Sequence, residues 1–89
     1  VESLSKTLAL ELGADNIRSN AIGPGLIVSE GTAGNFQGER ANERAQGVPM
    51  KRVGAPDDIA DVVSFLCSND SRYVSGQVIY VDGGLLASL

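Results

Sequence analysis

Two helix-period runs alternate with two short β-type runs along this chain, and that alternation limits the fold more than any other feature. Leu4, Leu8 and Leu12 recur at helical spacing, with Val1 one residue short of the next step back. The pattern predicts a helix from Val1 to about Leu12, closed by Gly13 in the left-handed conformation that ends many helices. Ile17 to Ile22 reads as a strand, broken sharply by Gly23-Pro24-Gly25. A second helix should begin at Pro56, a favoured first position, with Asp57 and Asp58 complementing the positive end of the helix dipole. Ile59, Val62, Val63 and Leu66 then line one face, and Ser68-Asn69-Asp70 ends the helix. Val78-Ile79-Tyr80-Val81 is a continuous apolar run of β-formers, the pattern of a strand covered on both faces, and Asp82-Gly83-Gly84 turns the chain away. Helix, strand, helix, strand in this order implies α/β architecture, with parallel strands joined by right-handed crossovers.

Two parallel strands do not make a stable sheet, because parallel sheets need several strands and cover on both faces. The 89 residues are therefore expected to be a single partial domain of a larger doubly wound sheet. Alone, they should fold poorly or associate through the exposed surface. The first helix is already under way at Val1, with no Ser, Thr, Asp or Asn cap before it and no initiator Met, which also predicts that the chain is a segment.

Charge and composition exclude several function classes. A net charge of −4 without basic runs argues against nucleic acid or an anionic membrane surface as partner. No apolar run reaches the roughly 18 residues of a membrane-spanning helix. The chain has no histidine and one cysteine, so it offers neither an imidazole base nor a metal-ligand cluster. A lone Cys67 forms no internal disulfide and fits a reducing compartment, cytoplasmic or organelle matrix. Its neighbours Phe65 and Leu66 predict a buried, inert thiol. Asp57 and Asp58 are read as dipole partners rather than an acid/base pair, and Glu2, Lys6 and Glu11 as solvated helix-face charges. Ala55 lacks the side-chain acceptor usual before a helix, at a cost of about 1 kcal/mol.

The candidate ligand loop is Pro24-Gly25-Leu26-Ile27-Val28-Ser29. Pro24 removes a donor and fixes its own dihedral, while Gly25 admits close backbone approach and unusual dihedrals, traits suited to a flat heterocycle. A Pro-Gly pair can also simply end a strand. The stretch from about 29 to 47 is small, polar and glycine-containing, the composition of a lid, with a short helix expected around Glu39 to Gln46.

Four segments carry a family resemblance: Asn16-Ile17-Arg18-Ser19-Asn20-Ala21-Ile22-Gly23-Pro24-Gly25-Leu26-Ile27, Glu11-Leu12-Gly13, the run Val48 to Ala60 containing Arg52-Val53-Gly54-Ala55-Pro56-Asp57-Asp58, and Ser75 to Gly84. In order and spacing the chain resembles the C-terminal third of the short-chain dehydrogenase/reductase family, 3-oxoacyl-thioester reductase-like or 2,4-dienoyl-CoA reductase-like. The resemblance implies the C-terminal part of a Rossmann-like doubly wound parallel sheet, arranged helix–strand–lid–helix–strand. It implies NAD or NADP as cofactor, held at its nicotinamide end by Pro24, Gly25, Leu26, Ile27 and Ser29. Ser29 stands where the family has Thr and keeps the hydroxyl. The implied substrate lid comprises Glu30, Gly31, Thr32 and Phe36; Ser29-Glu30-Gly31 has the form found in the dienoyl-thioester branch.

The family's Gly-rich phosphate loop, active-site Ser and Tyr-x-x-x-Lys pair have no counterpart here, so no catalytic residue is assigned to this chain. Lys6 is not that Lys, because Glu2 rather than Tyr stands one turn before it, and Tyr73 matches a packing position in the turn before the last strand. The expected function is a segment of an NAD(P)-dependent oxidoreductase. It would move a hydride to or from a carbonyl, alcohol or enoyl-thioester carbon, and be inactive without the missing part. The partners implied are the nicotinamide cofactor, a small-molecule substrate and further copies in a dimer or tetramer. Two other readings stand beside it. One is a non-catalytic assembly element, with Phe65 as an interface residue; the other is a self-sufficient small α/β protein.

Overall fold

The computed structural model describes residues 1–28 and 43–89. Helix α1 spans Glu2–Leu12, strand β1 Ala21–Pro24, helix α2 Pro56–Cys67 and strand β2 Val78–Val81. The strands pair in parallel, Ala21 opposite Val78 and Pro24 opposite Val81, so the crossover expected from the sequence pattern is present. Side chains alternate across a strand. Tyr80 reaches α1 on one face, its hydroxyl donating to Glu2 Oε1 at 2.7 Å. Ile22, one position out of phase, lines a cleft with Val63 and Leu66 of α2. Helices thus cover opposite faces of the ladder.

The strand boundaries differ from the sequence expectation. β1 starts at Ala21 rather than Ile17 and runs through Pro24. The preceding residues are held by side chains instead of a ladder. Arg18 donates to the carbonyls of Leu66 (2.7 Å) and Val74 (3.2 Å), and Asn20 Nδ2 donates to Val74 at 2.9 Å. Asn20 Oδ1 accepts from the Gln77 amide, and the Ser19 amide donates to Ser75 Oγ. Arg18 and Asn20 therefore clamp the entry to β1 onto the turn that enters β2, which sets the register of the pair.

Helix α1 turns inward a face that keeps Leu8 and Leu12 of the leucine stripe but centres on Ser5 rather than Leu4. Ser5 is buried, its hydroxyl 3.2 Å from that of Ser19, and Leu8, Ala9 and Leu12 are half-buried on the same side, whereas Leu4 and Leu10 are exposed. Gly13 is right-handed (φ −59°, ψ −39°) and continues into a 3₁₀ turn, Gly13–Asp15; the left-handed residue is Asn16, φ 61°. An added turn thus moves the reversal three residues on, to an Asn whose side chain tolerates it. On α2, Ile59, Val62 and Leu66 are half-buried while Val63 is exposed at the margin of that face, and Phe65 is exposed as expected. The last carbonyls of α2 are met by the buried Ser71, whose Oγ lies 2.8 to 3.1 Å from the oxygens of Phe65, Leu66 and Ser68.

Further packing expectations also fail. Cys67 is exposed rather than buried, because it falls off the Ile59–Val62–Leu66 face. Tyr73 is fully exposed rather than packed, since the turn is fixed from within by Ser71 and by the Val74 carbonyl. Glu2 is bonded to Tyr80 and so is more than a solvated charge. Among the described residues no helix is long and apolar enough to cross a membrane, and no group of three or more His, Cys, Asp or Glu converges.

Candidate functional site at the carboxyl ends of the strands

Both strands deliver their carboxyl ends to the same edge, the place where open parallel sheets receive ligands. At Pro24 the strand has no amide to give, and the ladder passes to Gly25, whose N–H donates to the Val81 carbonyl at 3.0 Å. Gly25 does not adopt a positive φ, contrary to the unusual dihedral expected of it. What requires glycine there is the neighbouring strand end: a β-carbon would meet Asp82 Cβ at 2.7 Å and Cα at 2.8 Å. Beyond Gly25 the chain bonds back to the segment before α2. The Gly54 N–H donates to the Leu26 carbonyl at 2.7 Å, and the Val28 N–H donates to the Gly54 carbonyl at 2.8 Å. The loop is therefore fastened at both ends, to β2 and to Gly54.

The turn after β2 forms the adjoining wall. Asp82 accepts from the Gly84 and Leu86 amides through its two oxygens, each at 3.0 Å, while Gly83 and Gly84 take φ of 64° and 94°, a path that L side chains resist. The Gly83 carbonyl accepts the Met50 amide at 3.1 Å, and Val48 is buried against this turn. Leu26, Ile27, Val48, Met50 and Asp82 enclose a cleft of about 130 Å³. That is below the roughly 300 Å³ of a small-molecule pocket, so the cleft among the described residues is too small to enclose such a ligand by itself. A larger open groove, about 520 Å³, lies at the opposite, amino ends of the strands, between Lys6, Leu10, Ile17 and Tyr73.

One ion pair borders the cleft. Arg52 forks onto Asp58, Nη1 to Oδ2 at 2.8 Å and Nη2 to Oδ1 at 3.2 Å, and Oδ2 also accepts the Ala55 N–H at 2.8 Å. The Arg52 hydrogen bonds, followed by the Ala55 amide, hold the Asp58 carboxyl down at about 2. Asp58 thus does more than complement the helix dipole: it supplies the half of a capping box that Ala55 leaves room for. The structure brings Gly25, Leu26 and Ile27, following Pro24 at the end of β1, to one edge together with Arg52, Gly54 and Asp58, which the sequence reading had not assigned there. The available signal was the spacing Arg52-x-Gly54-x-Pro56-x-Asp58, which joins a cation, a side-chain-free backbone and an N-terminal helix carboxylate. Ser29, Glu30, Gly31, Thr32 and Phe36 lie outside the described residues, as do residues 39–42 of the short helix expected there; residues 43–46 are helical.

Residues 1–86 match the family model described as enoyl-(acyl carrier protein) reductase. The chain belongs to the short-chain dehydrogenase/reductase family. Among its relatives in that family, a 3-oxoacyl-[acyl-carrier-protein] reductase of Chlamydia muridarum is 48% identical over 81 residues, which are 91% of this chain and 32% of the relative. A short-chain type dehydrogenase/reductase from Mycobacterium ulcerans superposes with a TM-score of 0.87 at 38% identity, covering 97% of this chain and 32% of that one. A 4-hydroxyisoleucine dehydrogenase mutant complexed with NADH and succinate gives 0.87 at 32% identity, with 97% and 36% covered. The chain spans about a third of the length of these short-chain dehydrogenase/reductase relatives, and its fold is theirs, the Rossmann-type α/β arrangement.

Proposed function

We propose that this chain is the C-terminal third of an NAD(P)-dependent oxidoreductase domain and forms its nicotinamide-side wall. The observation that carries this reading is the Pro24–Val28 backbone, anchored at the carboxyl ends of two parallel strands by Val81 and Gly54. Pro24, Gly25, Leu26 and Ile27 present a largely donor-poor edge to a planar ring, and Ser29 is assigned the hydroxyl that meets the carboxamide. Glu30, Gly31, Thr32 and Phe36 belong to the substrate lid. NAD or NADP supplies the hydride chemistry when bound. The residues of this chain orient the ring and shield one side of it from water, which favours a productive geometry. Proton transfer falls to groups carried elsewhere in the complete protein, so the 89 residues alone are inactive.

The substrate proposed is an acyl thioester reduced at its 3-oxo or enoyl carbon. The family description and the Chlamydia relative both name acyl-carrier-protein reductases, which supports that class. The complete protein acts as a homo-oligomer, dimer or tetramer, in a reducing compartment. The test is NADH and NADPH oxidation by the full-length polypeptide carrying this chain, with acetoacetyl-CoA and crotonyl-CoA in parallel. Oxidation of one cofactor with one substrate is expected. Inertness of both cofactors toward both thioesters would remove the substrate class, and failure of either cofactor to bind would remove the reading altogether.

A further inference from the structure

Among the described residues, Gly54 holds the outer side of the loop after β1 through two backbone hydrogen bonds. Gly54 gives its N–H to Leu26 and its carbonyl to Val28, and it has no side chain to wedge them apart: a β-carbon there would stand 2.5 Å from Ile27 Cδ1. Gly54 is itself spanned by a single carboxylate. Asp58 receives both arms of Arg52, two residues before Gly54, and the amide of Ala55, the residue after it. Three hydrogen bonds to one side chain thus fix the chain on either side of the loop's anchor and tie it to the first turn of α2. Arg52 and Asp58 side chains are 54% and 33% exposed. A pair so wetted adds little to global stability, whereas its forked geometry sets orientation closely. The arrangement suits aiming the backbone better than holding the fold together.

We propose that Arg52 and Asp58 are a positioning pair that aims the Pro24–Val28 backbone at the nicotinamide ring by fixing Gly54 between Leu26 and Val28. This inference rests on the reading of that loop as the nicotinamide wall. Neither side chain touches the ring, so the pair acts through Gly54 alone. Adenosine and pyrophosphate, which this loop does not aim, are indifferent to it.

The test uses the full-length protein and the variants Asp58→Asn, Arg52→Gln and the two combined. Asn keeps an acceptor for the Ala55 amide while discarding the ion pair, and Arg52→Gln is an independent route should Asp58→Asn fail to fold. Two dissociation constants are measured, for the reduced dinucleotide and for the matching ADP-ribose, which lacks nicotinamide. Each single variant is expected to weaken the dinucleotide about three- to tenfold and leave ADP-ribose unchanged. The double variant should be no worse than either single, as for two residues acting through one interaction. Equal weakening of both ligands, the mark of a merely structural role, would overturn the proposal, as would an unchanged dinucleotide constant. If the wild-type protein binds dinucleotide no better than ADP-ribose, the loop makes no use of the ring, and the underlying reading fails with the inference.

Discussion

At the scale of single residues, glycines separate two physical demands that look alike in a sequence. Gly13 is right-handed and has no heavy atom within 4 Å of a prospective β-carbon. Ala is therefore compatible there and restricts the unfolded chain, so Gly13→Ala should stabilise the complete protein by about 0.4 to 1 kcal/mol. Gly25 has no positive φ, but a β-carbon there would stand 2.8 Å from Asp82 Cα, and Gly25→Ala should destabilise by about 1 to 3 kcal/mol. Denaturant midpoints of the two variants check both signs. The sequence marks both positions only as breakers, because a helix end and a close approach leave the same letter. Asp58 makes a separate prediction through its charge. Its folded carboxyl is held at about 2, below the ordinary value of about 4. The native state therefore binds fewer protons than the unfolded one in that window, and the contribution of Asp58 is complete above about pH 4 and vanishes as pH falls toward 2. Because the pair is solvent-exposed the effect is small, and melting temperatures from pH 5 to 2 should show a slight deficit of Asp58→Asn that closes at the acid end. A gap that stays constant across the range would mean the carboxylate is not the group being titrated.

At the scale of elements, α2 shows why its start was legible and its packing less so. Pro56, Asp57 and Asp58 are local signals, and local signals decide helix starts. Ala55 sits extended at the cap, φ −109° and ψ 161°, with no side-chain acceptor. Ala55→Ser should therefore add the missing half of the capping box to Asp58 and stabilise by about 0.5 to 1 kcal/mol. An unchanged unfolding midpoint would show that the amide of residue 58, already 2.9 Å from the Ala55 carbonyl, has nothing left to gain. The inward face of α1 was less legible, since leucines at every fourth position drift around a helix of 3.6 residues per turn. Ser5 took the central place instead, because it finds the Ser19 hydroxyl on the entry to β1. The same holds for β1, where Ile17 looked like its start. Whether a residue joins a ladder depends on a partner, and here Arg18 and Asn20 take the partner's groups with side chains. Such long-range bonds between residues some fifty apart leave no periodic trace.

At the scale of the whole molecule, the parallel order was readable because hydrophobic period and glycine punctuation alone distinguish helix from strand, whereas neither signal says what covers each face. Among the described residues the buried apolar side chains are Ala21, Ala45 and Val48, while Leu10, Tyr73 and Phe65 are 86%, 102% and 44% exposed. Even β2, the run that reads as covered on both faces, is only half-buried and leaves Tyr80 exposed. Ordering each residue's backbone costs about 1 to 2 kcal/mol, and apolar burial returns about 25 cal/mol per Å². Among the described residues, three small buried side chains return far less than that cost. The isolated 89-residue polypeptide should therefore unfold without a cooperative transition, bind a hydrophobic dye, associate as its concentration rises, and show no change in NADH or NADPH fluorescence. In the complete protein the same residues should unfold within one cooperative transition, as single domains of moderate size do. Differential scanning calorimetry of the two polypeptides at matched dilute concentration separates the cases. A sharp two-state endotherm from a monomeric 89-residue chain would mean that the ladder, its two helices and the Gly54 anchor suffice as a folding unit. The proposed nicotinamide wall would then be a module able to form by itself, rather than an edge that exists only within a larger sheet.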